Sequence, residues 1–315
     1  MLKILDCTLR DGGYYNNWFF TKDLINEYLK VMSIIKVDYV EIGFRFVDKI
    51  KTKGPSAYTD ETFLKSLEIP KSLKLGVMIN ASDFTNKKNI LDVAQNTFKP
   101  KRNSLISLVR IACHFNEVES IIPLIMWLKK VGYKVGVNIM QIPELSTKEI
   151  RSVVKKVKTS KADILYFADS LGSLDPIKTK KIIKDIRLNW KSPIGIHTHD
   201  NMGKALDNSI TAINNGVTWI DCTVTGMGRG PGNAKTEYLI LELKKNLKSE
   251  NLVQLLNLIK NYFEPLKIKY KWGSNPFYYF AGLNSIHPSF VQEMLGDESF
   301  EPGDVQKNLN YLKSV

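Results

Sequence analysis

The sequence predicts an α/β protein: a (β/α)8 barrel followed by a mostly helical C-terminal extension. Short runs rich in β-branched residues alternate with longer segments whose apolar residues recur every three to four positions. Such strict alternation is typical of a parallel sheet with right-handed crossovers, and eight strand-then-helix units match the closed barrel. No G-x-G-x-x-G motif follows the first strand, which disfavours a doubly wound open sheet. We predict the barrel over 1–248 and the extension over 249–315.

Each predicted strand is an apolar or β-branched run bounded by polar or turn-forming residues. The predicted strands, in chain order, are 3–8, 38–44, 73–79, 105–112, 133–139, 163–168, 193–198 and 218–224.

The intervening helices are predicted from one-sided apolar periodicity and from end signals. Ser146 with Glu149 three residues later is a capping box, and Asp175 with Pro176 opens another helix. Pro123 fits a predicted helix only if it lies in the first turn. The other predicted helices are 21–37, 60–67, 86–95, 120–131, 204–214 and 235–247.

Composition restricts the class of protein. Lys and Arg number 45 against 32 Asp and Glu, so the formal net charge is +13, and 43% of the residues are hydrophobic. That hydrophobic share excludes a disordered chain. The excess Lys is scattered over helical segments without a nucleic-acid-binding motif, so we interpret it as a solvated surface that also suits an anionic small substrate.

The sequence also predicts the compartment. The longest apolar run, around 121–128, is too short to span a membrane, and Asp6 and Arg10 interrupt the N-terminus too early for a signal peptide. The three cysteines form no C-x-x-C pair, which favours a reducing environment. We expect a cytoplasmic protein with neither a membrane nor a nucleic-acid partner.

Three polar segments follow predicted strands, at the end where barrel enzymes carry their active groups. They are T-L-R-D-G-G (8–13) after strand one, H-T-H-D-N (197–201) at the end of strand seven, and G-M-G-R-G-P-G-N (226–233) after strand eight. Their structural alternatives are a surface turn, core-bonded histidines and a helix N-cap at the asparagine. Alternation along a strand puts His197 and His199 on the same side, which favours a metal site.

Barrel closure brings these segments together, because strand eight pairs with strands one and seven. The predicted ligands of one divalent metal, two oxygens and two nitrogens, are Asp11, His197, His199 and Asn233. Such mixed donors suit Mn²⁺, Mg²⁺, Co²⁺ or Zn²⁺, and the sequence does not select among them. A six-coordinate ion would keep two positions open, enough for a bidentate 2-oxo acid or for substrate plus water.

With D-C-T-L-R-D-G (6–12), V-E-I-G (40–43) and A-D-S-L-G (168–172), these segments resemble a known superfamily. It is that of the metal-dependent carbon–carbon lyases and synthases, including 4-hydroxy-2-oxovalerate aldolase, HMG-CoA lyase and isopropylmalate synthase. The resemblance covers about 4–247 and implies the TIM barrel, a Mn²⁺ or Mg²⁺ cofactor and the ligand set above. In that superfamily the counterpart of Asn233 is a ligand in some members only.

The resemblance also implies catalytic roles. Arg10 matches an arginine that stabilises an enolate oxygen, and Glu41 matches a glutamate that orients this arginine. An ion pair between Glu41 and Arg45 is the structural alternative. Tyr14 replaces the acid/base histidine of the aldolases, three residues after the metal aspartate, and could serve if its pKa is lowered. This departure suggests a different, sugar-like acceptor.

Further residues complete the expected site. His114 and His287 are other candidates for the acid/base, each with a structural alternative. We expect the substrate to contact four residues: Arg45, Asn138, Asp169 and Gly228. For Asp169 the alternative is a structural role in a turn.

The resemblance implies an aldolase or lyase acting on a 2-oxo acid of the pyruvate type and an aldehyde. Chain length disfavours the isopropylmalate synthases, which carry a long regulatory region. HMG-CoA lyases use a cysteine in the loop after strand eight, whereas Cys222 lies inside the strand. A Claisen-type acyl-CoA synthase or lyase on the same barrel stays the alternative, and a non-catalytic barrel with a basic binding surface is a third. The resemblance further suggests a homodimer or higher homo-oligomer.

Overall fold

The structure, a computed structural model, describes residues 1–244 and 247–314. Its strands are β1 (Lys3–Asp6), β2 (Tyr39–Phe44), β3 (Lys74–Asn80), β4 (Ile106–Cys113), β5 (Lys134–Ile139), β6 (Ile164–Ala168), β7 (Ile194–His197) and β8 (Trp219–Cys222). They form a closed barrel in chain order, and each neighbouring pair, β1 with β8 included, is parallel. The predicted TIM barrel is confirmed.

Helices separate the strands and continue after β8. In the barrel they are α1 (Thr8–Asp11), α2 (Gly13–Asn16), α3 (Lys22–Ile34), α4 (Glu61–Lys65), α5 (Ala81–Thr85), α6 (Ile90–Thr97), α7 (Val118–Lys130), α8 (Thr147–Thr159), α9 (Pro176–Arg187), α10 (Ala205–Asn214) and α11 (Thr236–Leu243). Beyond it they are α12 (Ser249–Leu258), α13 (Glu264–Tyr270), α14 (Pro276–Leu283), α15 (Pro288–Gly296) and α16 (Pro302–Ser314), with a π-helical turn at Ile259–Phe263 between the first two.

Local signals explain where several helices begin. The predicted capping box is present, because Ser146 accepts a hydrogen bond from Glu149 N and the Glu149 carboxylate accepts one from Ser146 N. The helix predicted over 86–95 is α6, which begins four residues later than predicted because Asn89 caps it by accepting from Leu91 N and Asp92 N. Pro123 lies in the second turn of α7, not the first, because α7 begins at Val118. The helix therefore lacks one backbone hydrogen bond.

The barrel interior is apolar at one end and polar at the other. The amino-terminal half of the interior holds a small cluster in which Trp219 packs on Tyr39 and Tyr166, with ring centroids 4.8 and 6.3 Å apart. The carboxyl-terminal half holds buried charged side chains, Arg110 and Glu41 among them. The larger apolar core lies between the strands and the surrounding helices. This division leaves the polar groups at the end where the loops can complete a site.

The C-terminal helices divide into two packing groups. Leu255 of α12, Phe263 and Trp272 are buried in the core that surrounds the barrel. A separate cluster joins α14, α15 and α16 through Tyr278, Val291 and other buried side chains. The proposed boundary at 248 stays a prediction. Within the described residues, no helix combines the length and apolarity that crossing a bilayer requires.

Candidate metal centre

A short helix presents the first predicted ligand. Asp6 ends β1 and accepts hydrogen bonds from Thr8 N (2.9 Å), Tyr28 Oη (2.5 Å) and Thr236 Oγ1 (2.5 Å). These bonds hold the start of α1, so that a helix, rather than the surface turn given as the alternative, carries Arg10 and Asp11 into the barrel mouth. Both side chains are buried there.

Two other predicted ligands meet Asp11. His197 Nε2 lies 3.3 Å from Asp11 Oδ2, and Asn233 Nδ2 donates to the same oxygen at 2.7 Å. His199 lies beside His197, with ring centroids 5.2 Å apart, and forms a backbone bridge with Asn233. Barrel closure thus brings the four predicted ligands together. Asn233 is not the N-cap of the following helix, because α11 begins three residues later with Lys235 as its N-cap.

Two buried atoms of the predicted metal ligands have no hydrogen-bond partner among the described residues. They are His199 Nδ1 and Asn233 Oδ1. Buried polar atoms are almost always paired, so an unpaired nitrogen and an unpaired carbonyl oxygen beside a carboxylate fit a bound cation. The donor set therefore passes the chemical test for a divalent metal.

Electrostatics favour the ligating forms of two of these groups. Burial alone would raise the pKa of Asp11, but the neighbouring charges of Arg10 and of the two histidines lower it. Burial, followed by the repulsion of His197, lowers the pKa of His199 to about 3. A carboxylate and a neutral imidazole are the forms that bind metals.

Gly228 was predicted to contact substrate, and the structure places it behind Asn233 instead. A Cβ at Gly228 would lie 2.6 Å from Asn233 Nδ2. The missing side chain therefore makes room for the Asn233 amide, and the cavity lining described below does not include Gly228.

A buried ion-pair network supports the centre, and sequence reasoning missed two of its members. Asp221 Oδ2 accepts from His197 Nδ1 at 3.0 Å and from Arg110 Nη1 at 2.5 Å. Arg110 also donates to both oxygens of Glu41 at 2.7 Å, and Glu41 accepts from Arg10 Nε at 2.8 Å. Glu41 thus pairs with Arg10 as predicted. A charged residue in the middle of an apolar strand, as in W-I-D-C and L-V-R-I, was the available signal.

Another group of possible metal ligands shares His197 with the predicted set. Donor atoms of Cys7, His197 and Asp221 lie within 4.8 Å of one another. The Asp221 oxygen already accepts two hydrogen bonds there, one from the Arg110 cation, and burial raises the pKa of the Cys7 thiol well above its usual range. Asp221 therefore acts on His197 as the partner that orients a metal-binding imidazole.

The cavity above the centre has a volume of about 300 Å³. All four histidines of the chain line it, and so do the predicted residues Arg10, Asp11, Tyr14 and Asn138. Arg10 Nη2 and Asn138 Oδ1 are buried there without partners among the described residues. The remaining lining side chains include Asn80, Gln141, Ser170 and Arg229, with Phe44, Met78 and Met140 as apolar members.

Two predicted substrate contacts lie elsewhere. The Arg45 guanidinium lies outside the barrel interior, 3.3 Å from Glu61 and over the ring of Phe98 at 5.1 Å, and lines a different cavity. The alternative ion pair of Arg45 with Glu41 is wrong as well, since Glu41 pairs with Arg10 and Arg110.

Asp169 stabilises a turn, the structural role given above as its alternative. Its Oδ1 accepts from Ser173 N at 2.9 Å and Leu174 N at 3.2 Å, which holds the turn after β6. The cavity lining includes its two neighbours but not Asp169 itself.

Tyr14 lies at the cavity but lacks the property expected of it. Burial raises its pKa, and the Arg229 guanidinium, 4.2 Å from the ring centroid, only partly offsets this. The role of Tyr14 as the acid/base stays a prediction.

Fold and site together define a (β/α)8 barrel with buried oxygen and nitrogen donors at the carboxyl ends of its strands. Comparison with known protein families identifies the class of barrel protein more closely. The HMGL-like family model matches residues 1–260, and the chain belongs to that family. The predicted superfamily is confirmed.

Named relatives narrow the chemistry. The 4-hydroxy-2-oxovalerate aldolase of Carboxydothermus hydrogenoformans is 29% identical over 247 residues, covering 78% of this chain and 71% of the relative. The oxaloacetate decarboxylase of Mycobacterium tuberculosis is 24% identical over 244 residues, covering 77% and 70%. The crystal structure of the N-terminal domain of a candidate aldolase from Bacteroides vulgatus matches with a TM-score of 0.83 and 32% identity, covering 98% of this chain and all of that one. These names support the predicted aldolase or lyase.

Proposed function

We propose that this chain is a divalent-metal-dependent lyase that makes or breaks the carbon–carbon bond at C3 of a 2-oxo acid. The reaction passes through an enolate of the pyruvate type, and an aldehyde is the second substrate. One observation carries the proposal: among the residues that the structure describes, the buried Arg10 Nη2 has no hydrogen-bond partner, and it lies in a cavity that Asp11, His197 and His199 also line. A fixed cation with a free N–H, next to a group of metal donors, suits an oxygen that becomes negatively charged.

The names of the two relatives point to the same half of the substrate. Cleavage of 4-hydroxy-2-oxovalerate between C3 and C4 leaves the enolate of pyruvate and acetaldehyde. Loss of carbon dioxide from oxaloacetate leaves the same enolate. The shared requirement is stabilisation of a 2-oxo acid enolate, and the leaving or accepting group is what differs.

The residues proposed to hold the metal are Asp11, His197, His199 and Asn233. A bound divalent ion, Mn²⁺ or Mg²⁺ foremost, supplies Lewis-acid polarisation and a fixed position for the 2-oxo acid. Asp221 fixes the ring of His197 through the 3.0 Å bond to Nδ1, which leaves Nε2 facing Asp11. Gly228 keeps the Asn233 amide in place.

Arg10 is held in position before any substrate arrives. Glu41 accepts from its Nε at 2.8 Å, and Asp11 accepts from its Nη1. Burial alone would lower the pKa of Arg10, but Asp11 and Glu41 raise it above its ordinary value, so the guanidinium stays charged. The free Nη2 can donate to the enolate oxygen without reorganisation, which is the condition for strong electrostatic stabilisation.

Exchange of the methyl protons of pyruvate into deuterated water, followed by NMR, tests enolisation without any acceptor. We expect Mn²⁺- or Mg²⁺-dependent exchange that a chelator abolishes. Arg10→Lys should slow the exchange about 10²–10³-fold, the usual cost of one oxyanion donor. Asp11→Asn and His197→Ala should lose bound metal by elemental analysis, whereas Asp48→Asn, at an exposed carboxylate, should not. Metal-independent exchange, or normal metal content in both ligand variants, would overturn the proposal.

We also propose that the chain forms a homodimer or higher homo-oligomer through its last helices. Large apolar side chains are exposed on α14, α15 and α16, namely Leu283, Phe290, Leu295 and Tyr311. Such a concentration of apolar groups on one region is typical of a protein contact. Light scattering of the purified chain tests this, and Phe290→Glu with Leu295→Glu should yield monomers. A monomeric wild-type chain contradicts it.

A further inference from the structure

The C-terminal helices reach back to the cavity at the barrel mouth. His287 and Pro288 are the members of its lining that follow the barrel in sequence. His287 is the N-cap of α15, and its Nδ1 lies 2.7 Å from Ser289 Oγ and accepts from Ser289 N at 3.2 Å. The backbone N–H places the lone pair on Nδ1 and therefore the proton on Nε2. The Nε2–H is the part of the ring left to donate to a ligand.

Close packing on the active-site loops sets the position of this segment. Gly282 of α14 lies where a Cβ would be 2.7 Å from the Gly172 carbonyl oxygen, and a Cβ at Gly230 would be 2.8 Å from the Tyr278 ring. Ser274 Oγ donates to the Asn201 carbonyl at 2.6 Å. The loops that follow β6, β7 and β8 thus each contact the segment before His287.

The opposite wall of the cavity is rich in hydrogen-bonding groups. The predicted metal ligands lie after β1, at the end of β7 and after β8, whereas Asn80 ends β3 and Asn138 lies in β5. In a closed barrel of this strand order, β3 to β5 lie across from β1 and β8. Asn138 Oδ1 is buried on that wall without a partner among the described residues. An alkyl chain bound there would leave this carbonyl unpaired, while a hydroxyl group would donate to it.

We propose that this wall and His287 form the acceptor subsite, and that it takes a hydroxylated aldehyde, with the His287 Nε2–H donating to a hydroxyl oxygen of that aldehyde. The inference rests on the proposed function and names its second substrate class. His287 donates from Nε2 without giving up its proton, because loss of that proton from a neutral ring would leave an imidazolate anion. Burial first, and then Arg229, lowers the pKa of His287, which keeps the ring neutral. A neutral imidazole of this kind donates to a hydroxyl oxygen, which propanal lacks.

The test compares two aldehydes of equal carbon number, D-glyceraldehyde and propanal, as acceptors for pyruvate. We expect the wild-type kcat/KM to be at least tenfold higher for glyceraldehyde. His287→Ala should lower that value tenfold or more with little change for propanal, and His287→Gln, which keeps an N–H donor, should retain part of it. Pyruvate methyl exchange should stay within twofold in both variants. Glu298→Ala, on the exposed turn after α15, is the control.

Each other outcome counts against the acceptor subsite. An equal loss on both aldehydes in His287→Ala, with an unchanged melting temperature, assigns His287 a different role. Wild-type enzyme that prefers propanal, or that exchanges pyruvate protons but adds pyruvate to neither aldehyde, overturns the hydroxylated acceptor. Asn138→Leu provides a second check, since it should lose the glyceraldehyde preference. Absence of exchange in the wild type is instead a failure of the proposed function.

Discussion

His197 Nδ1 lies 3.0 Å from Asp221 Oδ2, and the same oxygen accepts from Arg110 Nη1 at 2.5 Å. The carboxylate therefore connects a candidate metal ligand to the buried ion pairs of the barrel interior. Through Arg110 and Glu41 the connection continues to Arg10, on the other side of the site. One continuous network thus holds both the imidazole proposed to bind the metal and the guanidinium proposed to meet the substrate.

Replacement of Asp221 by Asn should weaken metal binding about 10–100-fold, the usual effect of losing the partner of a metal-binding histidine. The Asn side chain retains the size but not the charge that fixes the His197 tautomer. Titration with Mn²⁺ measures the affinity, and Asp207→Asn, on the exposed side of α10, is the control. Unchanged affinity in a folded variant would mean that Asp221 serves Arg110 alone.

Glu41→Gln should lower the free energy of unfolding by about 3–5 kcal/mol, because it leaves two buried guanidinium groups with one carboxylate fewer. Glu27→Gln removes a partly exposed ion pair with Lys30 and should cost less than about 1 kcal/mol. Urea unfolding followed by circular dichroism compares the two. Equal costs would contradict the buried network.

Gly228→Ala should reduce metal affinity with little loss of stability elsewhere. The new methyl group would approach Asn233 Nδ2 to about 2.6 Å, so the amide must move from Asp11. Gly303→Ala, where a Cβ meets open space, is the matched control. If both variants bind Mn²⁺ as the wild type does, Asn233 is not a ligand.

Asp169 should produce a pH-dependent stability term. Burial raises its pKa to about 7, above the ordinary value of 3.8, so the folded protein binds a proton that the unfolded chain releases. This contribution is fully present below pH 3.8 and is lost as the pH rises through 7. The wild type should lose up to about 4 kcal/mol relative to Asp169→Asn over that range. Unfolding free energies of both proteins between pH 4 and 8 measure the difference, and parallel curves would contradict the prediction.

Much of the fold followed from pattern. Runs rich in apolar and β-branched residues, separated by amphipathic helices, predicted the ends of every strand to within two residues, because alternation and burial are local properties. The ligand set Asp11, His197, His199 and Asn233 came from motif order and barrel closure. Its proximity is observed, and its role as a metal centre stays a prediction.

What pattern did not predict depends on contacts distant in sequence. Arg45 and Glu41 both lie near the end of β2, yet one faces the surrounding helices and the other faces Arg10. In the sequence, Gly228 is one of several glycines in a loop. Only its distance to Asn233 showed that it makes room for the Asn233 amide. Asp221 and Arg110 stand 111 residues apart, so their pairing could not be read from either strand alone.

The sequence by itself determined the barrel, its polar end and the residues available for metal binding, since these depend on residue order and on the periodicity of each element. The tertiary structure decided which charges pair, which glycine makes room for an amide, and that His287 lines the cavity. Those outcomes depend on the side-chain contacts that the closed barrel and the packed C-terminal helices allow. No one segment contains both partners of such a contact.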